Sequence, residues 1–205
     1  MESIIFDLDG TLWDSRKTVS KSWTTVVQEK EYGRGEVSEE DLKKIMGLQV
    51  KEIAAQLFHY LDEEKQMELI LECCEREQVD LRREGGILYP NLEEVIQKLS
   101  SRYSLFIVSN CQQGYIESFY AYHKLEDYFV DFENPGRTGL TKGENIKLLM
   151  KRNKISSAVY VGDTQGDYDA AKFAGIPFVY ASYGFGHPEG YDYLIKKPSD
   201  LLELF

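Results

Sequence analysis

The sequence predicts an α/β protein, an open doubly wound parallel sheet interrupted near its start by an α-helical insertion. Five runs rich in Ile, Val, Phe and Tyr, at residues 4–6, 105–108, 128–130, 158–161 and 178–180, are continuously apolar instead of alternating, as strands buried on both faces are. From Pro90 onward such runs alternate with helical stripes, the order that right-handed crossovers wind into a parallel sheet. Residues 15–85 carry helical periodicity and no convincing strand.

Taken in order, the first strand at 4–6 leads into the insertion. There Val19, Trp23, Val26 and Val27 share one helical face. Gly33 and Gly35 mark a break, and Ser38-Glu39-Glu40-Asp41 is a capping pattern that restarts a helix. Further stripes follow at Val50, Ile53, Ala54, Leu57, Phe58 and Leu61, and at Met67, Ile70, Leu71 and Cys74. Beyond Pro90, the spacing of Leu92, Val95, Ile96 and Leu99 predicts a helix over 91–100. Ile146, Leu149 and Met150 predict another after Gly143, and a strand at 193–195 with a short helix at 198–204 closes the chain. The expected division is a core of residues 1–14 and 86–205 and a helical unit of residues 15–85.

The 205 residues carry 24 Lys and Arg against 35 Asp and Glu, a net charge of −11. Such a surface repels nucleic-acid phosphates and anionic membranes. It does not exclude a phosphorylated substrate, because a bound cation and one lysine can dominate the field within a cleft. Cys73, Cys74 and Cys111 are odd in number and two are adjacent, which is no disulfide framework and fits a reducing compartment. No apolar stretch approaches the roughly 20 residues that cross a bilayer. The start of the chain has no basic region before its short apolar run, so a cytoplasmic protein is expected.

The first strand runs into Asp7-Leu8-Asp9-Gly10-Thr11-Leu12. Alternation turns Asp7 and Asp9 to one side, and ligands of open α/β sheets bind at the carboxyl ends of strands. A second acidic pair, in Gly162-Asp163-Thr164-Gln165-Gly166-Asp167, follows a later strand. Four converging carboxylates repel one another unless a cation lies among them, and hard oxygen donors suit Mg²⁺. Ser109 and Asn110 end another strand with neutral groups able to hydrogen-bond phosphate oxygens. Lys142 stands at a predicted helix N-terminus, where a cation opposes the helix dipole, so an anion nearby is expected.

The order Asp7-x-Asp9-Gly10-Thr11-Leu12, Ser109, Lys142, Gly162-Asp163-Thr164-x-x-Asp167 resembles the four motifs of the haloacid dehalogenase superfamily. The helical insertion resembles that of its helical-cap members, which include phosphoglycolate phosphatase and β-phosphoglucomutase. The resemblance implies a Rossmann-like core beneath an α-helical cap, and an Mg²⁺-dependent phosphatase of a small phosphomonoester, phosphoglycolate-like or a sugar phosphate. By it, Asp7 is the nucleophile that forms an aspartyl phosphate and Asp9 the acid and base. Thr11, Ser109, Asn110 and Lys142 bind the phosphoryl group. Mg²⁺ is held by Asp7, the Asp9 carbonyl and Asp163, with Asp167 in support. The implied partner is a small phosphorylated metabolite, and the implied assembly a monomer or homodimer.

Two other readings remain at this level. A sugar phosphomutase resembling β-phosphoglucomutase would carry a histidine four residues beyond the Asp14-Ser15 pair, where this chain has Val19. A non-catalytic phosphate-sensing module would be expected to lack one of the acidic residues, all of which are present. Dehalogenation needs no acid at position 9, and phosphonate hydrolysis needs a cap lysine in a Schiff base, whereas Lys17 and Lys21 read as a solvated helix face. His59 and His123 fall in helical segments, His187 in a loop, and Cys111 reads as a passive thiol. Met46-Gly47-Leu48-Gln49 is expected to join two cap helices over the site, and Trp13 to line its mouth.

Overall fold

A computed structural model describes residues 2–205. The chain begins with β1 (Ser3–Phe6) and β2 (Trp13–Asp14), then four helices, α1 (Arg16–Glu29), α2 (Glu39–Ile45), α3 (Val50–Leu57) and α4 (Glu63–Glu84). It continues through β3 (Ile87–Leu88), α5 (Leu92–Ser100), β4 (Ser104–Val108), α6 (Tyr115–His123), β5 (Asp131–Glu133), α7 (Pro135–Thr138) and α8 (Lys142–Arg152). The last elements are β6 (Ala158–Gly162), α9 (Gln165–Ala174), β7 (Phe178–Ala181), β8 (Tyr193–Ile195) and α10 (Leu201–Leu204).

Six strands form one parallel sheet in the order β5-β4-β1-β6-β7-β8. The chain moves outward from β1 through β4 to β5, then crosses to β6 on the other side of β1. The carboxyl end of β1 is therefore the topological switch point, where the crossovers diverge and leave a crevice. The two-residue alternation of each strand divides its side chains between two buried layers. Ile4, Phe6, Leu105, Ile107, Val159 and Val161 face a core completed by α5, α6 and α10 through Val95, Ile96, Ile116, Phe119 and Leu201. Ile5, Phe106, Val108, Ala158 and Tyr160 face a second core completed by α8 and α9 through Ile146, Leu149, Ala170 and Ala171. Burial on both faces explains why these strands read as unbroken apolar runs.

The insertion follows its stripes closely. Val19, Trp23, Val26 and Val27 of α1 are buried and join one core cluster with Leu69, Ile70, Cys73 and Cys74 of α4. Ser38 caps α2 in a reciprocal box with Asp41, as the sequence pattern requires. Leu71, expected on the inner face of α4, is 45% exposed, and the buried face instead continues through Glu77 and Asp80. Chain enters and leaves the insertion through a two-residue antiparallel ribbon that pairs Trp13 with Leu88 and Asp14 with Ile87. Among the described residues no helix is long and apolar enough to cross a membrane.

Three further local expectations change. The apolar run at 128–130 is not a strand: Glu126–Tyr128 form a 3-10 turn and β5 begins at Asp131. Phe129 leaves the sheet direction to pack against Phe6 and Tyr120, with ring centroids 6.3 and 5.6 Å apart, while Val130 is exposed. The strand itself is acidic, and Arg152 anchors it through Asp131 and Glu133 at 2.8 and 2.7 Å. Charges on an edge strand discourage pairing with other chains.

Trp13 does not line the mouth of a site. It is fully buried, set edge-on against Tyr115, Phe119 and His123. Burying an indole of 150–250 Å² is worth roughly 4–6 kcal/mol, which exceeds the roughly 1–3 kcal/mol lost by its unpartnered N–H. His123 is in α6 as expected, and its imidazole is held to a pKa of about 4 by burial. His59 lies in the turn beyond α3 and not in a helix.

Candidate active site

The switch point brings three strand ends together. Asp7 follows β1, and its backbone N–H donates to Val161 O at 2.8 Å. Ser109 and Asn110 follow β4, and Asp163 follows β6. Lys142, the first residue of α8, is buried and reaches across to two carboxylates, with Nζ 3.0 Å from Asp7 Oδ1 and 2.6 Å from Asp167 Oδ1. The anion expected beside this lysine is thus a pair of acids. Burial works against its charge, but Asp167 and Asp7 outweigh it and hold the ammonium above its ordinary range.

Asp167 is fully committed. Its second oxygen accepts from the backbone N–H groups of Asp163 and Thr164, at 3.1 and 2.9 Å, and from Thr164 Oγ1 at 2.7 Å, closing the capping box of α9. Burial alone would raise its pKa, but Lys142 and these donors bring it below the usual range. Asp163 is arranged differently. Phe185 N–H donates to Oδ2 at 2.6 Å and Gly186 N–H at 3.3 Å, while Oδ1 is buried without a partner. Burial, then Asp167 and Asp7, push this carboxyl well above its ordinary value. Gly10, at φ +80, leaves room for it: a Cβ there would lie 2.4 Å from Asp163 Oδ2.

Oxygens of Asp7, Asp163 and Asp167 lie within 4.8 Å of one another, all buried. Hard oxygen donors, an orphaned buried carboxylate oxygen and crowded negative charge fit a divalent cation such as Mg²⁺. The Asp9 carboxylate stands outside this group. Ser15 Oγ donates to its Oδ1, and the Tyr115 hydroxyl lies 3.1 Å from the same oxygen and 2.9 Å from Ser15 Oγ. Burial raises Asp9 to a pKa of about 7; Ser15 opposes this, Asp7 adds to it and Tyr115 opposes it again. Asp7 is raised to about 6 by burial and by Asp167, against the pull of Lys142.

A cavity extends from Asp7, Asp9, Ser109 and Asn110 up between α1, α4 and the α2–α3 loop. Met46, Gly47 and Leu48 of that loop wall it, as expected, and Gln49 lies on the outer side. Asn110 Nδ2 donates to Gly47 O at 2.7 Å, so the loop is tied directly to the end of β4, while Asn110 Oδ1 is buried and free. Thr11 is buried with an unpartnered hydroxyl and does not line the cavity. Cys111 does line it, and burial pushes its thiol well above the ordinary range, which leaves it protonated and unreactive. His187 is exposed, with Nδ1 3.1 Å from the Tyr180 hydroxyl.

The model of one family, haloacid dehalogenase-like hydrolase, matches residues 4–181. The chain belongs to that family. It is an enzyme, a phosphatase-like hydrolase, similar along its length to phosphoglycolate phosphatases of Vibrio parahaemolyticus (27% identical, covering 98% of this chain and 94% of the relative) and Aquifex aeolicus (27%, covering 100% and 96%). Among solved structures, a haloacid dehalogenase-like hydrolase from Streptococcus pneumoniae superposes with a TM-score of 0.87 at 21% identity, covering 100% of this chain and 98% of that one. A predicted phosphoglycolate phosphatase from Haemophilus somnus has the same score at 20% identity, covering 100% and 97%. These likenesses carry the fold, a Rossmann-like sheet with flanking helices.

Sequence reasoning did not single out Ser15, Tyr115 or Glu77, all of which border the acids or the cavity. For Glu77 a signal existed: it continues the apolar stripe of Ile70 and Cys74, and a charged residue on an inward face requires a reason.

Proposed function

We propose that this hydrolase is an Mg²⁺-dependent phosphatase of a small phosphomonoester, phosphoglycolate-like or a sugar phosphate, acting through an aspartyl phosphate on Asp7. The observation that carries this is the pairing of two unlike acids at one strand end. Asp7 is anchored through one oxygen by a buried lysine, and Asp9, held by Ser15 and Tyr115, titrates near neutrality.

The roles follow from these environments. Lys142 fixes Asp7 Oδ1, which leaves Oδ2 to attack phosphorus. As the P–O bond to the leaving group breaks, protonated Asp9 gives its proton to the departing alkoxide. Asp9, now ionised, takes a proton from the water that attacks the phosphoryl group, and Asp7 is released. A pKa near the working pH suits one group to both steps. Ser109 and the Asn110 backbone N–H would bind the phosphoryl oxygens as charge builds on them, and Lys142, paired with Asp7, would offset that charge. Asp7 and Asp163, with the Asp9 carbonyl, would hold Mg²⁺, and Asp167 would support them by fixing Lys142 and the Asp163 backbone. When bound, the ion offsets the charge of the carboxylates and the phosphate. Cap closure over this crevice would exclude bulk water. Val19 lines the cavity with an apolar surface where a mutase would carry its histidine, which favours hydrolysis over transfer back to a sugar.

The test is phosphate release from small phosphomonoesters with Mg²⁺ or EDTA. Release that requires Mg²⁺ and falls to background in Asp7→Asn is expected. Full activity in Asp7→Asn would end the aspartyl-phosphate mechanism.

A further inference from the structure

We infer that the leaving-group end of the cavity takes a small uncharged alcohol that presents a hydroxyl to Glu77, and that it disfavours a substrate whose organic part carries a carboxylate. This rests on the phosphatase reading and narrows it. The upper wall of the cavity is apolar, formed by Val19, Leu42, Ile45, Leu48, Val50 and Ile53. Into this wall project one carboxyl and one indole: Glu77 of α4 is 4% exposed, and Trp23 Nε1 donates to its Oε2 at 2.6 Å. Among the described residues that line the cavity, none is lysine, arginine or histidine. Lys142 lies behind Asp7, bound to Asp167, and the cap lysines Lys43, Lys44 and Lys51 are exposed.

A substrate carboxylate in this space would be desolvated among apolar side chains with no lysine, arginine or histidine to pair with it, a costly arrangement for a buried charge. An uncharged alcohol avoids that penalty. A hydroxyl at its far end finds in Glu77 the polar partner the apolar wall otherwise lacks. Burial raises the Glu77 carboxyl well above its ordinary value, with the Trp23 N–H acting against it, so it meets the substrate as a neutral group that can donate. The cavity, from Asp7 to the cap, holds about 70 Å³, less than half of the ~150 Å³ that holds a benzene ring, which suits a small substrate.

A matched two-carbon series separates the terminal group from size: 2-hydroxyethyl phosphate, ethyl phosphate, 2-phosphoglycolate and phosphoethanolamine, each assayed for kcat/KM with the full chain and Mg²⁺. The hydroxyethyl ester should exceed the ethyl ester by about tenfold, one hydrogen bond's worth, and 2-phosphoglycolate by about 100-fold. Glu77→Gln should keep the hydroxyl preference and Glu77→Leu should reduce it to about one. If Glu77→Leu does not fold, the wild-type series and Glu77→Gln decide alone. A preference for 2-phosphoglycolate or phosphoethanolamine, or equal rates for the hydroxyethyl and ethyl esters, overturns the inference. Acetyl phosphate, whose leaving group needs no proton and little of the cavity, reports the chemistry beneath. Its hydrolysis without turnover of the series would refute the pocket assignment alone, and its failure would refute the phosphatase reading as well.

Discussion

Replacing Tyr115 by phenylalanine should extend activity toward alkaline pH. The Tyr115 hydroxyl lies 3.1 Å from Asp9 Oδ1 and favours the ionised carboxylate, as the Ser15 bond does, while burial drives the pKa up to about 7. Hydrogen bonds to charged groups are worth about 1.5–3 kcal/mol. This one is long and shared with Ser15 Oγ, so roughly 1.4 kcal/mol is lost with it, which is one pKa unit. Asp9 then holds its proton up to about pH 8. Because the leaving alkoxide needs that proton, the alkaline limb of kcat/KM for an alkyl phosphate should move upward by about one unit. At pH 8 the protonated fraction rises from about a tenth to about a half, a gain of about fivefold. The assay is the pH profile of kcat/KM for wild type and Tyr115→Phe, run in parallel with acetyl phosphate, whose profile should lack the limb in both. A limb that stays in place or moves to lower pH, or an identical limb with acetyl phosphate, would refute the assignment of Asp9 as the acid.

Other expectations concern charge balance. Lys142→Met leaves Asp7 and Asp167 buried without their cation, so unfolding free energy should fall by about 3–5 kcal/mol in urea titration, with turnover lost. An unchanged midpoint would show that the ion pairs contribute nothing to the fold. Mg²⁺ at about 100 times its Kd should stabilise the protein by about 2.7 kcal/mol, seen as a rise in melting temperature that EDTA reverses and that Asp163→Asn abolishes. A melt indifferent to Mg²⁺ in wild type would remove the metal from the site.

What the sequence disclosed and what it withheld divide by the range of the interactions. The acidic pairs at 7–9 and 163–167 were legible because each sits in a short segment where strand end, turn and helix cap are determined by neighbours in the chain. Lys142 was legible through a local conflict, a cation at the positive end of a helix. The Phe129 run misled because apolar character does not distinguish a strand from a side chain that packs beside the sheet, and Trp13 misled because adjacency to the motif says nothing of direction. Tyr115, 106 residues from its partner Asp9, and Trp23, 54 residues from Glu77, meet only once the helices are docked. The Asn110 bond to Gly47 O likewise joins two loops whose proximity exists in tertiary structure alone.

The ribbon of Trp13–Asp14 with Ile87–Leu88 has a further consequence for how such a chain can change over time. Because the two ends of the insertion leave the sheet hydrogen-bonded side by side, the insertion is a closed loop whose length the sheet does not register. Doubling such a loop costs only about 0.6 kcal/mol in closure entropy. Residues can therefore be gained, lost or exchanged between Asp14 and Ile87 without displacing the carboxyl ends of β1, β4 and β6. Selection can rewrite what the cavity accepts while the acids that break the bond stay where they are.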